Sequence, residues 1–183
     1  GRDDEATDIL GEVVASMSEA SPPTAGHPRA EDWGEGFDRY LAMGDRRIPT
    51  DLVEEARARW RDLCRSQAEA RLLHGDLQHY NVLLDWGRGW LAIDPKGVVA
   101  EKAFELGAAL RNPHGVPELY TPAALERRVG RLTGALGLEG ERVVAWAFAQ
   151  AVLSAVWTIE DEEERDPEGP ALRVAEAART LLD

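Results

Sequence analysis

The stretch LLHGDLQHYNVLLD, residues 72–85, interrupts an apolar run with His-Gly-Asp and restores it directly after Asn81. An acid, Asp76, and an amide, Asn81, therefore stand five positions apart in a polar gap between two short hydrophobic segments. Either residue alone is an ordinary turn residue, because Asp and Asn both favour tight turns. The apolar flanks can anchor such a gap in a core, so that its polar side chains face a charged ligand.

The segment that follows, VLLDWGRGWLAID at 82–94, has the length and the glycine-containing turn of a β-hairpin. Two short apolar runs flank Trp-Gly-Arg-Gly, in which glycine supplies the turn. In such a hairpin Asn81 precedes the first strand and Asp94 follows the second, so both lie at the same end of the ribbon. Asp76 joins them through a five-residue loop. The pattern predicts that Asp76, Asn81 and Asp94 face one shared cleft.

These three side chains form an oxygen-rich set that suits a hard cation. Mg²⁺ prefers carboxylate and amide oxygens and keeps waters for a phosphate-bearing substrate. Phosphoryl transfer needs such a metal together with a carboxylate that orients and deprotonates the attacking hydroxyl. His74 and His79 raise zinc as an alternative, but the sequence holds no HExxH pattern and no cysteine cluster to complete a zinc site. Lys96 is a further candidate for contacting phosphate or substrate, although a surface ion pair explains it equally well.

The sequence on either side of this segment is predicted to be mostly helical. Apolar residues recur at helical spacing, and Thr121 followed by Pro122 is typical of a helix start. The segment 141–160 is apolar nearly all round, which predicts a central core helix. The predicted helices cover about 3–17, a short segment from Trp33, 50–67, 101–110, 122–136, 141–160 and 170–182. The fold class is therefore α+β and predominantly helical.

Composition limits the classes of protein that fit. The 183 residues are 44% hydrophobic, which is enough for one substantial core. A net charge of −13 argues against nucleic-acid binding and favours cationic small molecules, although acidity also simply keeps proteins soluble. The start, GRDDEATDIL, is acidic where a signal peptide is basic, and no apolar run approaches eighteen residues. We expect no membrane contact and a cytoplasmic location. The lone Cys64 is predicted to pack as a small hydrophobe.

The quoted stretch, with WLAIDPKG at 90–97 and AFELGAALRNP at 103–113, resembles the C-terminal lobe of the aminoglycoside phosphotransferases. The closest likeness is to the streptomycin 6-kinase and hydroxyurea-resistance kinase branch, which shares the protein-kinase-like fold. The resemblance is sharp between residues 72 and 113 and looser in the flanking helices. It implies one kinase-like C-terminal lobe over residues 1–183, divided into a helical segment with a loop (1–70), a catalytic loop with a metal-binding hairpin (71–98) and C-terminal helices (99–183).

The resemblance also implies a role for each matching residue. Asp76 would be the catalytic base, and Asn81 and Asp94 would hold Mg²⁺ beneath the phosphates of ATP. His74 would shape the catalytic loop, and Glu105 occupies the place of an acid that supports this loop. The branch commonly has His-His where this sequence has Gln78 and His79. That departure affects neither of the metal ligands.

Kinases of this fold also have a strand-rich N-terminal lobe that supplies a loop and a lysine for the nucleotide phosphates. The residues before Asp76 contain no GxGxxG and no Gly-Lys-Ser/Thr motif, and their pattern is helical. The sequence is thus expected to represent one lobe, with the N-terminal lobe of the same protein as its absent partner. The lobe alone is expected to be inactive, because metal placement without nucleotide clamping leaves the reacting groups badly oriented.

The expected acceptor is a small hydroxyl-bearing molecule, such as a cationic aminocyclitol of the streptomycin type. In the resemblance it sits between the catalytic loop and the C-terminal helices, where Trp157, Glu160 and Asp161 are candidate contacts. Trp157 fits a core position as well, and the two acids fit a solvated helix end. Two other functions stay open: a non-catalytic kinase-like module that binds a small molecule or a protein, and metal-dependent hydrolysis of a phosphate ester.

Overall fold

The computed structural model describes residues 2–18, 24–161 and 169–183. Within these ranges the chain forms helices, which dominate, and two small antiparallel sheets. In chain order the elements are α1 (Arg2–Ser18), α2 (Ala30–Met43), α3 (Thr50–Arg65), β1 (Arg71–Leu73), β2 (Val82–Asp85), β3 (Gly89–Ala92), β4 (Val98–Ala100), α4 (Leu106–Leu110), α5 (Pro122–Leu136), α6 (Gly140–Glu160) and α7 (Pro170–Leu182). The predicted α+β class with a helical majority is confirmed.

Helix α6 is the centre of the core, as its apolar sequence predicts. It packs against α7, α3, α4 and α2, and its buried side chains include Trp146 and Phe148. By length and composition α6 is apolar enough to cross a membrane. However, 72% of its most apolar stretch is buried inside the protein, as in the core helix of a folded domain.

An aromatic cluster connects α3 and α6 to the segment before α4. The rings of Trp60, Phe104 and Trp146 pack edge to face, with centroids 5.0–5.7 Å apart. The indole N–H of Trp60 donates to the carbonyl of Ala30, at 3.0 Å, and so anchors the start of α2. Each such aromatic pair contributes about 0.5–1.5 kcal/mol beyond its buried area. Phe104 directly precedes Glu105, so the cluster fixes the chain beside that acid.

The predicted hairpin is confirmed. Strands β2 and β3 pair antiparallel, with Leu83 opposite Leu91. The second sheet, in which β1 pairs with β4, was not predicted. Its strands have three residues each, which is too short to show a period, and the pairing is not local in sequence. The pairing brings Leu73 opposite Val98, so residues 74–97 form one closed excursion between the two strands.

The predicted helix over 101–110 is divided in two. Lys102–Glu105 form a 3₁₀ turn, and only Leu106–Leu110 are α-helical. At this junction the Nε2 of Gln150 donates to the carbonyl of Phe104, at 2.6 Å. The start of α5, by contrast, is as predicted, because the hydroxyl of Thr121 accepts from the N–H of Ala124 at 3.2 Å. Helix α7 also covers its predicted residues.

Candidate active site

The loop after β1 turns sharply at Gly75. Gly75 has a φ of 83°, which side-chain-bearing residues rarely adopt. A Cβ there would lie 2.9 Å from Cγ1 of Val98 and 3.1 Å from the ring of Trp33. The carbonyl of His74 accepts from the N–H groups of Lys96 and Gly97, at 2.9 and 3.0 Å. Glycine is therefore required at this turn, which is clamped against the 96–97 segment.

His74 connects the loop to the end of the hairpin. Its ring is buried, with Nε2 at 2.8 Å from the carbonyl oxygen of Ile93 and Nδ1 at 3.3 Å from the backbone N of Asp76. Because the N–H of Asp76 donates to Nδ1, the hydrogen-bond network assigns the ring hydrogen to Nε2. The contact pattern accords with the loop-shaping role predicted for His74.

Glu105 lies directly under the loop and is 2% exposed. Its carboxylate accepts from the N–H of His74 at 2.8 Å and from the N–H of Gly75 at 3.0 Å. Burial raises the pKa of Glu105 to about 7, although the hydrogen bonds from backbone N–H groups act in the opposite direction. The nearby charge of Asp76 adds a smaller upward effect on this pKa. Glu105 thus holds the loop from below, as the supporting acid of the resemblance would.

Asp76 and Asn81 are in direct contact. The Nδ2 of Asn81 donates to the backbone carbonyl of Asp76 at 2.8 Å and lies 3.4 Å from its Oδ2. Asn81 is buried, whereas the side chain of Asp76 is 26% exposed. The five-residue loop is therefore closed on itself by Asn81, and the carboxylate of Asp76 still reaches solvent.

Asp94 joins this pair through the backbone. The N–H of Ile93 donates to the carbonyl of Asn81 at 2.9 Å, which extends the β2–β3 ladder by one rung and places Asp94 one residue beyond it. Asp94 is exposed and adopts a left-handed φ of 57°. Holding a non-glycine residue there costs about 1–2 kcal/mol, so the surrounding structure must impose it. Such strain is concentrated at functional sites.

The donor set of Asp76, Asn81 and Asp94 fits a hard divalent cation. Two carboxylates and an amide are the oxygen ligands that Mg²⁺ takes in phosphoryl-transfer sites. In the ranges 2–18, 24–161 and 169–183, no three His, Cys, Asp or Glu side chains are grouped as a metal site by themselves. Asn81 supplies the third donor here.

Arg111 is a site residue that the sequence reasoning missed. Its Nη2 lies 4.0 Å from Oδ1 of Asp76, and its side chain is only 12% exposed. Arg111 directly follows the wholly buried helix Leu106–Leu110, so its position beside Asp76 depends on how that helix packs. Lys96, which the sequence reasoning did select, is exposed and contributes its backbone N–H to the loop clamp.

The candidate acceptor residues lie in two different environments. The ring of Trp157 is half-buried, 5.6 Å from the ring of Trp33 in an edge contact. Both tryptophans line a small cavity that Arg111 also lines. Glu160 instead forms two hydrogen bonds with Arg39, at 3.0 and 3.1 Å. Asp161 is exposed and directly follows the last residue of α6. Trp157 is thus near the candidate site, whereas Glu160 is occupied by an arginine.

Solved structures define the class of protein. The choline kinase LicA from Streptococcus pneumoniae superposes with a TM-score of 0.62 over 97% of this chain and 63% of its own, at 16% sequence identity. LicA has also been crystallised in complex with AMP. At this identity the likeness establishes the fold alone, which is the protein-kinase-like fold.

Sequence comparison then gives the family. The family model described as aminoglycoside/hydroxyurea antibiotic resistance kinase matches residues 1–162. A streptomycin 3''-kinase from Klebsiella pneumoniae is 36% identical over 190 residues, covering 100% of this chain and 69% of that protein. A hydroxyurea phosphotransferase from Kitasatospora aureofaciens is 35% identical over 161 residues, covering 87% of this chain and 40% of that protein. The chain belongs to the aminoglycoside/hydroxyurea antibiotic resistance kinase family, which confirms the resemblance seen in the sequence.

Proposed function

We propose that this protein is an ATP- and Mg²⁺-dependent O-phosphotransferase that acts on a small hydroxyl-bearing antibiotic of the aminoglycoside type, such as streptomycin. The observation that carries the proposal is the contact of Asp76 with Asn81 in a member of a resistance kinase family. Asp94 supports it, because it follows Ile93, whose N–H donates to the carbonyl of Asn81. A non-catalytic module would have no reason to keep this set of oxygen donors together.

In the proposed reaction Asp76 orients the acceptor hydroxyl and takes its proton. The hydroxyl oxygen forms a bond to the γ-phosphorus of ATP while the bond from that phosphorus to the β–γ bridging oxygen breaks, which releases ADP. Asn81 and Asp94 would hold Mg²⁺, which when bound neutralises charge on the phosphates. Glu105 and His74 keep the loop fixed, so that Asp76 stays oriented during the proton transfer.

The exposed apolar face of the hairpin is a candidate surface for the nucleotide. Leu83 and Ile93 are 52% and 40% exposed, and both lie at the end of the molecule that holds Asn81 and Asp94. The curated relatives extend beyond the matched region. We propose that a further lobe in the whole protein covers the phosphates from above, that residues 1–183 alone turn over slowly, and that the reaction takes place in the cytoplasm.

The acceptor is proposed to bind between the loop and α6. Arg111 lies on that side, 4.0 Å from Asp76, and borders Trp33 and Trp157 around a gap that is too small for the acceptor itself. A net charge of −13 would attract a cationic molecule from a distance. Together these features favour an acceptor that carries cationic groups on a hydroxyl-rich ring.

The test uses the full-length protein with ATP, Mg²⁺ and a panel of streptomycin, other aminoglycosides and hydroxyurea. ADP release that depends on one of these acceptors is the expected result. Asp76→Asn should lower kcat by about 10³-fold, the usual size for loss of a general base. Asp62→Asn is the matched control, because Asp62 is 73% exposed on α3 and pairs with Arg65 of its own helix.

Two results would count against the proposal. Wild-type turnover by Asp76→Asn would remove Asp76 from the role of base. Acceptor binding without any ADP release would point to the binding module instead, and phosphate-ester cleavage without nucleotide would point to a hydrolase.

A further inference from the structure

Arg111 lies beside the proposed base without bonding to it. We propose that Arg111 and Asp76 together hold the reacting hydroxyl of the acceptor, Asp76 by accepting its hydrogen and Arg111 by donating to its oxygen. This inference rests on the proposed function. It adds a second acceptor-binding group to the site, next to Oδ1 of Asp76 and away from Oδ2, which Asn81 approaches.

The separation of the two groups is the first argument. The 4.0 Å between Nη2 of Arg111 and Oδ1 of Asp76 is too long for a direct hydrogen bond. An oxygen atom placed between them can lie about 2.8 Å from both, which is an ordinary hydrogen-bond length. A hydroxyl has one hydrogen to donate and lone pairs to accept, so it satisfies both neighbours at once. A water molecule or an acceptor hydroxyl fits this position.

A comparison with another arginine indicates that the guanidinium of Arg111 has hydrogen-bonding capacity left for a ligand. Arg142 lies 2.6 Å from Glu101, a close ion pair. Arg111 is less exposed than Arg142, at 12% against 24%, yet its carboxylate neighbour is farther away. Burial lowers the pKa of Arg111 and the charge of Asp76 raises it, but a guanidinium stays protonated in either case. A buried cation held this loosely has capacity left for a ligand.

Gln150 fixes the guanidinium from behind. Its Oε1 lies 3.4 Å from Nη1 of Arg111, and its Nε2 donates to the carbonyl of Phe104 at 2.6 Å. Gln150 is buried and lies against Gly107, where a Cβ would come within 2.3 Å of Oε1. The amide therefore has little freedom to rotate, and the side of Arg111 that faces Asp76 is set by packing.

Arg128 fixes the backbone on both sides of Arg111. It is 1% exposed, and its guanidinium donates to the carbonyls of Ala109, Leu110 and Asn112 at 2.8–3.0 Å. These carbonyls bracket residue 111 in the chain. The main chain that carries Arg111 is consequently held in place before any acceptor arrives, which is the pre-organisation that binding and electrostatic stabilisation require.

The position of Arg111 also suits the chemistry. As the hydroxyl proton moves to Asp76, negative charge develops on the attacking oxygen. A fixed N–H donor in a partly buried site stabilises such charge strongly. Arg111 would act on the acceptor oxygen, because it lies at Oδ1 of Asp76, whereas the proposed metal ligand Asn81 lies at Oδ2. Loss of the Arg111 guanidinium should therefore lower kcat/KM for the acceptor and leave KM for ATP unchanged.

The test compares Arg111→Met, Arg111→Lys and the control Arg142→Met in the full-length protein, with ATP and the acceptor that wild type phosphorylates best. Arg111→Met should lower kcat/KM for the acceptor by about 100-fold, the size seen when one such donor is removed, while KM for ATP stays within about twofold. Arg111→Lys keeps the positive charge but not the planar guanidinium, and should lower kcat/KM for the acceptor by about tenfold. Arg142→Met should lower the unfolding temperature and leave both KM values within about twofold.

A merely structural Arg111 predicts a different result, in which Arg111→Met and Arg142→Met behave alike. Acceptor kcat/KM within threefold of wild type in Arg111→Met, or an equal rise in KM for ATP, would overturn the inference. If Arg111→Met does not fold, Arg111→Lys decides, and wild-type acceptor kinetics in that variant would overturn the inference as well. If activity is lost in Asp76→Asn but kept in Arg111→Met, the inference about Arg111 is wrong and the proposed function stands. If the wild-type protein transfers phosphate to no acceptor, the proposed function and the inference are both wrong.

Discussion

Glu101 and Glu105 lie four residues apart and are both buried, yet their surroundings differ completely. Glu101 directly follows β4 and bonds to α6, where its Oε1 accepts from Nε of Arg142 at 2.6 Å and from the indole N–H of Trp146. Glu105 lies under the loop, where its hydrogen bonds come from the backbone N–H groups of His74 and Gly75. One acid has a cation as its partner, and the other has peptide groups.

The difference distinguishes two regions. The surroundings of Glu101 stabilise the packing of the fold, whereas those of Glu105 hold the loop that carries Asp76. An ion pair such as Glu101–Arg142 offsets the desolvation of both charges. Glu105 gains only partial compensation, and its pKa rises to about 7. A carboxyl group in such a place is explained by the loop that it holds, because the loop carries Asp76.

The largest expected effect is on catalysis and falls on Glu105. Glu105→Ala should lower kcat by about 100-fold or more, because the amides of His74 and Gly75 lose their acceptor and Asp76 moves from its orientation. Glu101→Ala is the matched comparison and should change kcat by less than about threefold. Steady-state kinetics at saturating acceptor measures both. Equal losses in kcat would erase the distinction between the two regions.

The second effect is a dependence of stability on pH. The folded pKa of Glu105 is raised from 4.5 to about 7. Between these values the folded state binds more protons than the unfolded state, so the contribution of Glu105 is favourable at low pH and is lost as the pH rises through 7. Relative to Glu105→Gln, the wild type should lose about 2–3 kcal/mol of unfolding free energy between pH 5 and pH 8. Urea unfolding at both pH values tests this, and a difference that does not change with pH contradicts the prediction.

The third effect is on stability alone and falls on the ion pair. Arg142→Met should lower the unfolding free energy by about 2 kcal/mol, less than for a fully buried pair because Arg142 is 24% exposed. Replacing both partners, as Glu101→Gln with Arg142→Met, should restore part of the loss, since no unpaired charge remains. A double-mutant cycle by urea unfolding measures the coupling. Strictly additive losses would show that the pair does not act as a unit.

The smallest effect concerns Glu160, an acid outside both regions. Its partner Arg39 is 53% exposed, so Glu160→Gln should cost less than about 1 kcal/mol of unfolding free energy. The acceptor KM should stay within about twofold, because Glu160 is bonded to Arg39 rather than free for a ligand. A tenfold rise in acceptor KM would instead support the substrate role that the sequence suggested for Glu160.

The parts of the molecule that are local in sequence could be predicted, and those that depend on distant packing could not. The hairpin follows from two apolar runs around a glycine turn, and it places Asn81 and Asp94 at one end. The pairing of β1 with β4 joins segments that are far apart in the chain and too short to show a pattern. Arg111 was missed for the same reason, since its distance from Asp76 depends on how α4 packs on α6.

The burial of Arg128, by contrast, could have been predicted from the sequence. Helical spacing places it on one face with Leu125, Val129 and Leu132, all of which are buried, whereas its neighbour Arg127 is 46% exposed. An arginine on the apolar face of a helix must find polar partners inside the protein. The sequence could therefore have indicated a buried arginine, but not that its partners are the carbonyls beside Arg111.

Because the N–H of Ile93 donates to the carbonyl of Asn81, Asp94 directly follows a rung that Asn81 itself forms. A shift of the hairpin would therefore move both residues together, and Asn81 would pass that shift on to Asp76 through its hydrogen bond to the Asp76 carbonyl. A substitution at the hairpin tip, around Trp86, could thus adjust the site without replacing any of these three residues.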